Sequence, residues 1–169
     1  MGVVHLIRHG EPEVQGLLLG RTDVALRLAA IPPAQFKAAT VFASPLRRAR
    51  LTAELLFPDQ SITILEGLAE RDLGDWESRS WDEVEQGWPD LARSAALDWF
   101  GTTPPNGEPW PRFVERVVSS WRIVRQADGP LAVVAHAGVN AALAELIAGR
   151  NPAEFRQAYL EVLTFEFEH

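Results

Sequence analysis

Val3-Val4-His5-Leu6-Ile7, followed at once by Arg8-His9-Gly10-Glu11, is a short, β-branched and almost wholly apolar run that ends abruptly in charge. A strand covered on both faces looks like this, because a wet face would require polar residues at alternate positions. Residues 40–43 and 131–135 are runs of the same kind. Helical patterns lie between them. Residues 46–57 have Ser44 as expected N-cap and Pro45 as first helical residue. Residues 111–126 present Phe113, Val114, Val117, Val118 and Trp121 as an apolar stripe. Residues 139–148 end at Gly149, the expected C-cap, and Asn151-Pro152 opens a further short helix. Residues 162–168 alternate Leu163, Phe165 and Phe167 with Thr164, Glu166 and Glu168, the period of an edge strand with one wet face.

Strands and helices in alternation predict a three-layer α/β/α sandwich on a mostly parallel sheet with one antiparallel edge strand. At 169 residues and 47% hydrophobic, the chain is large enough for one core, so residues 1–169 are read as a single domain. Residues 76–110 depart from the pattern: they hold five of the six tryptophans together with Pro89, Pro104, Pro105 and Pro109. They are expected to form a small helical cap inserted over the sheet's end, with Ser80 and Glu83 as the capping box of one helix.

Composition narrows the chemistry. With no cysteine, disulfides, thiolate zinc sites and thiol nucleophiles are all excluded. A net charge of −7 argues against a nucleic-acid partner, which needs a basic face. No apolar stretch approaches the roughly 20 residues that span a bilayer, and the apolar N-terminus has no basic leader. The expectation is a soluble, cytoplasmic protein without a membrane partner, of unread oligomeric state.

Ligands of open α/β sheets bind beyond the carboxyl ends of the strands. Three polar segments follow strands here: Arg8-His9-Gly10, Ser44-Pro45-Leu46-Arg47-Arg48, and His136-Ala137-Gly138. Two histidines and an arginine pair converging on one sheet end suit phosphoryl transfer, in which equatorial oxygens must be neutralised and a nucleophile held in line with the leaving oxygen. Arginine's planar fork supplies the charge. Neutral imidazole is a competent nucleophile without a separate base. Gly138, opening a helix, is expected to add a free backbone N–H for an anion.

These residues resemble the histidine phosphatase superfamily, which also contains the cofactor-dependent phosphoglycerate mutases. The resemblance runs along nearly the whole chain: Leu6-Ile7-Arg8-His9-Gly10-Glu11, Gly20-Arg21-Thr22-Asp23, Ser44-Pro45-Leu46-Arg47-Arg48-Ala49 with Thr52-Ala53-Glu54, Leu68-Ala69-Glu70-Arg71-Asp72-Leu73-Gly74-Asp75-Trp76-Glu77, Asn106-Gly107-Glu108, and Val133-Val134-Ala135-His136-Ala137-Gly138-Val139. It implies a phosphorylated His9, a phosphoryl pocket of Arg8, Arg48 and His136, and Glu70 as proton donor, with no metal and no cofactor. Arg21 at the rim and Ala137 beside His136 are expected to touch a small-molecule phosphomonoester. The short chain favours hydrolysis over mutase chemistry, and Gly74-Asp75-Trp76-Glu77 with Pro105-Asn106-Gly107-Glu108 most resembles α-ribazole phosphatases.

Duller readings stand beside these. His5 and Arg47 read as structural, and His169 as a chain end. Glu70 is alternatively a surface carboxylate paired with Arg71, and Arg21 and Asp23 a loop ion pair. Trp76 and Trp81 are read as packing, or as an aromatic floor at the substrate entrance. Two departures from the family bear on function. Only 16 residues separate Asp23 from Thr40, with Ile31-Pro32-Pro33 interrupting the expected first helix, and Ala141 stands where many members carry arginine. They motivate one alternative, a non-catalytic phospho-ligand binder; the family itself supplies the other, a phosphoglycerate mutase-type phosphotransferase.

Overall fold

The computed structural model describes residues 1–27 and 31–168. Its sheet has five strands in the order β3-β2-β4-β1-β5, namely β1 (Gly2–Arg8), β2 (Thr40–Ala43), β3 (Ile62–Ile64), β4 (Leu131–Ala135) and β5 (Val162–Phe167). The first four are parallel, and β5 runs antiparallel along β1 at one edge. The expected mostly parallel sheet with one antiparallel edge is therefore present. β3 is additional to the reading; at three residues, Ile62–Ile64 is too short to show a period.

β4 lies in the middle and is buried at every position, and β1 beside it sends Val4 and Leu6 to one face and Ile7 to the other. On the first face, α4 (Trp110–Val124) and α5 (Ala137–Ala148) pack through Phe113, Val117, Trp121, Val139 and Leu143. On the second, α1 (Arg47–Leu56) packs through Ala53, with Phe57 just beyond its end. This is the three-layer arrangement. α2 (Trp81–Gly87) and α3 (Pro89–Leu97) form a separate small core with Leu73 and Trp76.

Local signals mostly behave as their chemistry dictates. The Ser80–Glu83 capping box opens α2, Asn151 caps the 3₁₀ turn Pro152–Glu154, and Gly149 closes α5 in the left-handed conformation at φ 64°. Ser44 does not cap α1. The helix begins two residues later, with Leu46 as N-cap, and the acceptor at its start comes from another segment: Asp23 Oδ1 takes the Arg47 N–H at 2.7 Å. Asp23 is thus a cap supplied across the chain, and no Arg21–Asp23 ion pair forms among the described residues. Between Asp23 and Thr40 the sequence leaves room for a short or broken helix, and the described residues contain none, Pro32 and Pro33 lying in the stretch. Leu28-Ala29-Ala30 within it, and His169, lie outside the described residues.

Phe113 is fully excluded from water against the β1–β4 face, so Phe113→Ala deletes a large buried ring whose space its neighbours cannot refill. The expected loss is about 3–5 kcal/mol, read as a lower urea midpoint with an unchanged denaturant slope.

Candidate active site

The site is built where three parallel strands stop level with one another. Arg8 pairs with Ala135 and Ala43 with Val134 in the sheet register. The ladder continues one step further, His9 N–H donating to Ala135 O at 2.9 Å and Ser44 N–H to Val134 O at 3.0 Å. His9, Ser44 and His136 therefore emerge side by side, and the two imidazoles lie 5.1 Å apart between ring centroids.

His9 is buried, and its Nδ1 lies 2.6 Å from the carbonyl oxygen of Gly10. A carbonyl only accepts, so Nδ1 carries the proton of the neutral ring and the lone pair sits on Nε2. Arg48 Nε donates toward that atom at 3.4 Å. Burial, then the positive charge of Arg48 and of Arg8, pushes the His9 pKa down to about 3, so the imidazole is neutral throughout the physiological range. The Gly10 N–H is held by Thr52 Oγ1, whose own hydroxyl donates to the Arg48 carbonyl, and this ties the His9 segment to α1.

Neither arginine of the site is spent on a carboxylate. Arg48 is buried, with NH1 donating to Thr22 O and NH2 to Gly20 O, both at 2.8 Å. Those carbonyls are aimed by Glu77, whose carboxylate collects the N–H groups of Gly20, Arg21, Thr22 and Leu73 together with the Thr22 hydroxyl. Glu77 stood inside a recognised motif without a role; fixing the loop that grips Arg48 is that role. Arg8 NH1 donates to Gln157 O at 2.7 Å, and its guanidinium lies 4.1 Å from the centre of the Tyr159 ring, while its Nε is buried without a partner. Gln157 is itself clamped by Asn140 and by the carbonyls of Leu6 and Glu161. A buried polar pair such as Asn140–Gln157 is scattered in sequence and has no local signature.

Glu70 is not the exposed partner of Arg71. Its Oε1 accepts the Arg71 N–H at 2.9 Å and its Oε2 the Gly138 N–H at 3.0 Å, while the Arg71 side chain reaches the carbonyls of Glu108, Trp99 and Thr102. The Gly138 amide is thus committed to Glu70 and is not left free for an anion. Burial pushes the Glu70 carboxyl above the ordinary carboxylate range, against the two amide bonds and the charges of Arg48 and Arg116. Its loop is held by Arg116, which donates to the carbonyls of Gly67, Ala69 and Glu70 and grips Glu108 with Nε at 2.7 Å and NH2 at 2.8 Å. The Asn106-Gly107-Glu108 motif is accounted for by this brace.

Arg8, His9, Arg48, Glu70 and Ala137 open onto one cavity of about 280 Å³. The same cavity is also lined by apolar and aromatic side chains, Leu17, Leu18 and Leu19 and the rings of Trp99, Phe100, Trp110 and Tyr159. An aromatic surface lines the cavity without Trp76 and Trp81, for which the packing reading holds: Trp76 is fully buried and packs edge-on against Trp81 within the small α2–α3 core. Arg21 also falls outside this cavity. The backbone clamp by Glu77 directs its side chain to Glu70 O, at 3.1 Å, and onto the neighbouring groove shared with Arg112 and Arg116. His5 bonds Thr164 across the β1–β5 pair, and Arg47 is exposed. Among the described residues no group of three or more His, Asp or Glu side chains is placed to hold a metal ion, and no helix is long and apolar enough to cross a membrane.

Comparisons with known proteins bear on the whole chain. The family model of the histidine phosphatase superfamily (branch 1) matches residues 4–169. The adenosylcobalamin/α-ribazole phosphatase of Escherichia coli strain K12 is 32% identical over 164 residues, covering 88% of this chain and 80% of that one. Among solved structures, the α-ribazole phosphatase from Shigella flexneri superposes with a TM-score of 0.84 at 26% identity, covering 98% of this chain and 91% of that one. A phosphoglycerate mutase from Thermus thermophilus reaches a TM-score of 0.74 at 28% identity, covering 96% of this chain and 91% of that one. The chain belongs to the histidine phosphatase superfamily.

Proposed function

We propose that the protein is a phosphomonoester hydrolase in which His9 Nε2 takes the phosphoryl group from a small metabolite and water then removes it. The observation that carries this reading is the His9 Nδ1–Gly10 bond, which leaves the nucleophilic lone pair on Nε2 beside Arg48. In the first half-reaction Nε2 attacks phosphorus, the bond to the leaving oxygen breaks, and Glu70 protonates that oxygen. In the second, the Glu70 carboxylate takes a proton from water as its oxygen attacks phosphohistidine, the P–N bond breaks, and inorganic phosphate departs from neutral His9. Arg8, Arg48 and His136 hold the three phosphoryl oxygens. Charge neutralisation falls to these side chains, so the reading requires no metal ion.

The substrate we favour is α-ribazole 5′-phosphate or a close analogue. Relatives bearing that activity in their names support it, as does a cavity of small-metabolite size whose wall presents Trp99, Phe100, Trp110 and Tyr159 to a planar leaving group. Residues 76–110 then serve as the cap that supplies most of this aromatic wall. A phosphoglycerate, small and carrying both a carboxylate and a phosphate, gains nothing from such a surface.

Three measurements test the assignment. Hydrolysis of an aryl phosphate in the presence of a chelator is expected to persist in the wild type and to fall roughly a thousandfold or more in His9→Ala; activity that survives the substitution refutes the nucleophile. Because Glu70 must be protonated to act as acid and its pKa is raised, phosphorylation of His9 by an alkyl phosphate should be fastest below that pKa and slow as pH rises through it. Glu70→Gln should remove this limb and cost about a hundredfold on an alkyl phosphate, with a smaller loss on an aryl phosphate whose leaving group needs little help. Finally, a Cβ on residue 138 would stand 2.4 Å from Glu70 Oε1. The flexible carboxylate yields while the fold does not, so Gly138→Ala is expected to leave the melting temperature level or higher yet lower kcat on alkyl phosphates roughly tenfold to a hundredfold.

A further inference from the structure

Ser44, read from sequence as a helix cap, has a different neighbour in the fold. It is fully buried, and its Oγ lies 2.7 Å from Nε2 of His136, whose side chain is equally buried. The Leu46 N–H also donates to the same oxygen at 3.2 Å. His136 Nδ1, by contrast, is buried with no partner in the protein.

A hydroxyl has one hydrogen and two lone pairs, and a neutral imidazole has one proton to place on one of two nitrogens. Suppose the proton is on Nε2. It then donates to Ser44 Oγ, whose second lone pair already serves Leu46, and the Ser44 hydrogen is left buried without an acceptor among the described residues. His136 Nδ1 is orphaned as well, as a lone pair. In the other tautomer, Ser44 donates to Nε2 and accepts from Leu46, so the serine is fully satisfied and one orphan remains, an N–H at Nδ1. Each unmatched buried group keeps its full desolvation penalty, so the count decides for the second arrangement. Burial and the adjacent His9, Arg48, Arg116 and Arg8 hold the His136 pKa well below its usual value, so the ring is neutral and the question of its tautomer is a real one.

We propose that Ser44 is a positioning residue for His136, its hydroxyl holding the imidazole proton on Nδ1 so that this N–H is offered to an oxygen of the phosphoryl group on His9. The remaining orphan is then the donor that a ligand completes. An acceptor-only phosphoryl oxygen is attracted by N–H and repelled by a lone pair, and with the two rings 5.1 Å apart a group bound to His9 lies beside the His136 imidazole. The inference deepens the proposed function and rests on it for the identity of that anion. The tautomer itself does not depend on it.

The test uses the full chain with ¹⁵N-labelled histidine. Nuclear magnetic resonance of the His136 ring reports which nitrogen is protonated, and kcat and KM are measured for wild type, Ser44→Ala and Ser44→Thr on one aryl phosphate. The wild-type ring should be protonated on Nδ1. Ser44→Ala should show mixed tautomers and a kcat lowered roughly tenfold to a hundredfold with KM moved far less, and Ser44→Thr, which keeps the donor, should recover both the tautomer and most of kcat. A wild-type proton on Nε2, or an unchanged kcat in Ser44→Ala, overturns the proposal. If Ser44→Ala does not fold, the wild-type ring and Ser44→Thr decide it alone. Absence of turnover and of phosphohistidine in the wild type would instead remove the hydrolase reading, an outcome told apart from the first by the ring signal.

Discussion

Parallel pairing of β1 and β2 against β4 in a level register is the constraint on which the rest of the site depends. A slip of one residue in either pair would move every side chain of that strand to the opposite face. It would also carry His9 or Ser44 away from His136. The register is held by burial: β4 has no wet face, and Val4, Leu6, Ile7, Val41 and Phe42 each have a core to fill. Apolar packing in the middle of the sheet is thus what aligns polar chemistry at its end.

The arginines are handled in a consistent way. Arg48 and Arg71 are buried, and their N–H groups are satisfied chiefly by backbone carbonyls rather than by carboxylates. Carbonyl oxygens fix a guanidinium in space without cancelling its charge, whereas a carboxylate would neutralise it. Arg48 and Arg8 therefore reach the cavity oriented and still positive, ready for an anion. The carboxylates nearby do structural work one step back. Glu77 aims the carbonyls that hold Arg48, Glu108 braces Arg116, and Asp23 caps the helix that carries Arg48. Glu70 alone is turned into the cavity wall, where burial raises its affinity for a proton.

Much of this is legible in the sequence. Runs of β-branched residues showed the three long parallel strands, the alternation from Leu163 to Phe167 showed the wet-faced edge, and Ser80–Glu83 and Gly149 marked helix ends, because each is decided by a few adjacent residues. Motif order drew attention to His9, Arg8, Arg48, Glu70 and His136, which the fold brings together around one pair of imidazoles. The errors share a cause. Ser44 looked like a cap because its neighbours in sequence are a proline and a helix, yet its partner is 92 residues away. Of the two readings of Trp76 and Trp81, packing is the one that holds, in a core formed only when α2 and α3 pack.

The sequence by itself thus determined the layered fold and the identity of the polar residues at the strand ends, since periodicity and turn chemistry act over a handful of positions. Only the tertiary structure decided which atom of each residue is available. The lone pair on His9 Nε2, the committed amide of Gly138, the unpartnered Nδ1 of His136 and the turn of Arg21 away from the cavity all follow from hydrogen bonds in a crowded, water-poor space. There a donor or acceptor takes whatever partner the packing brings within reach, and chain order says nothing about which that will be.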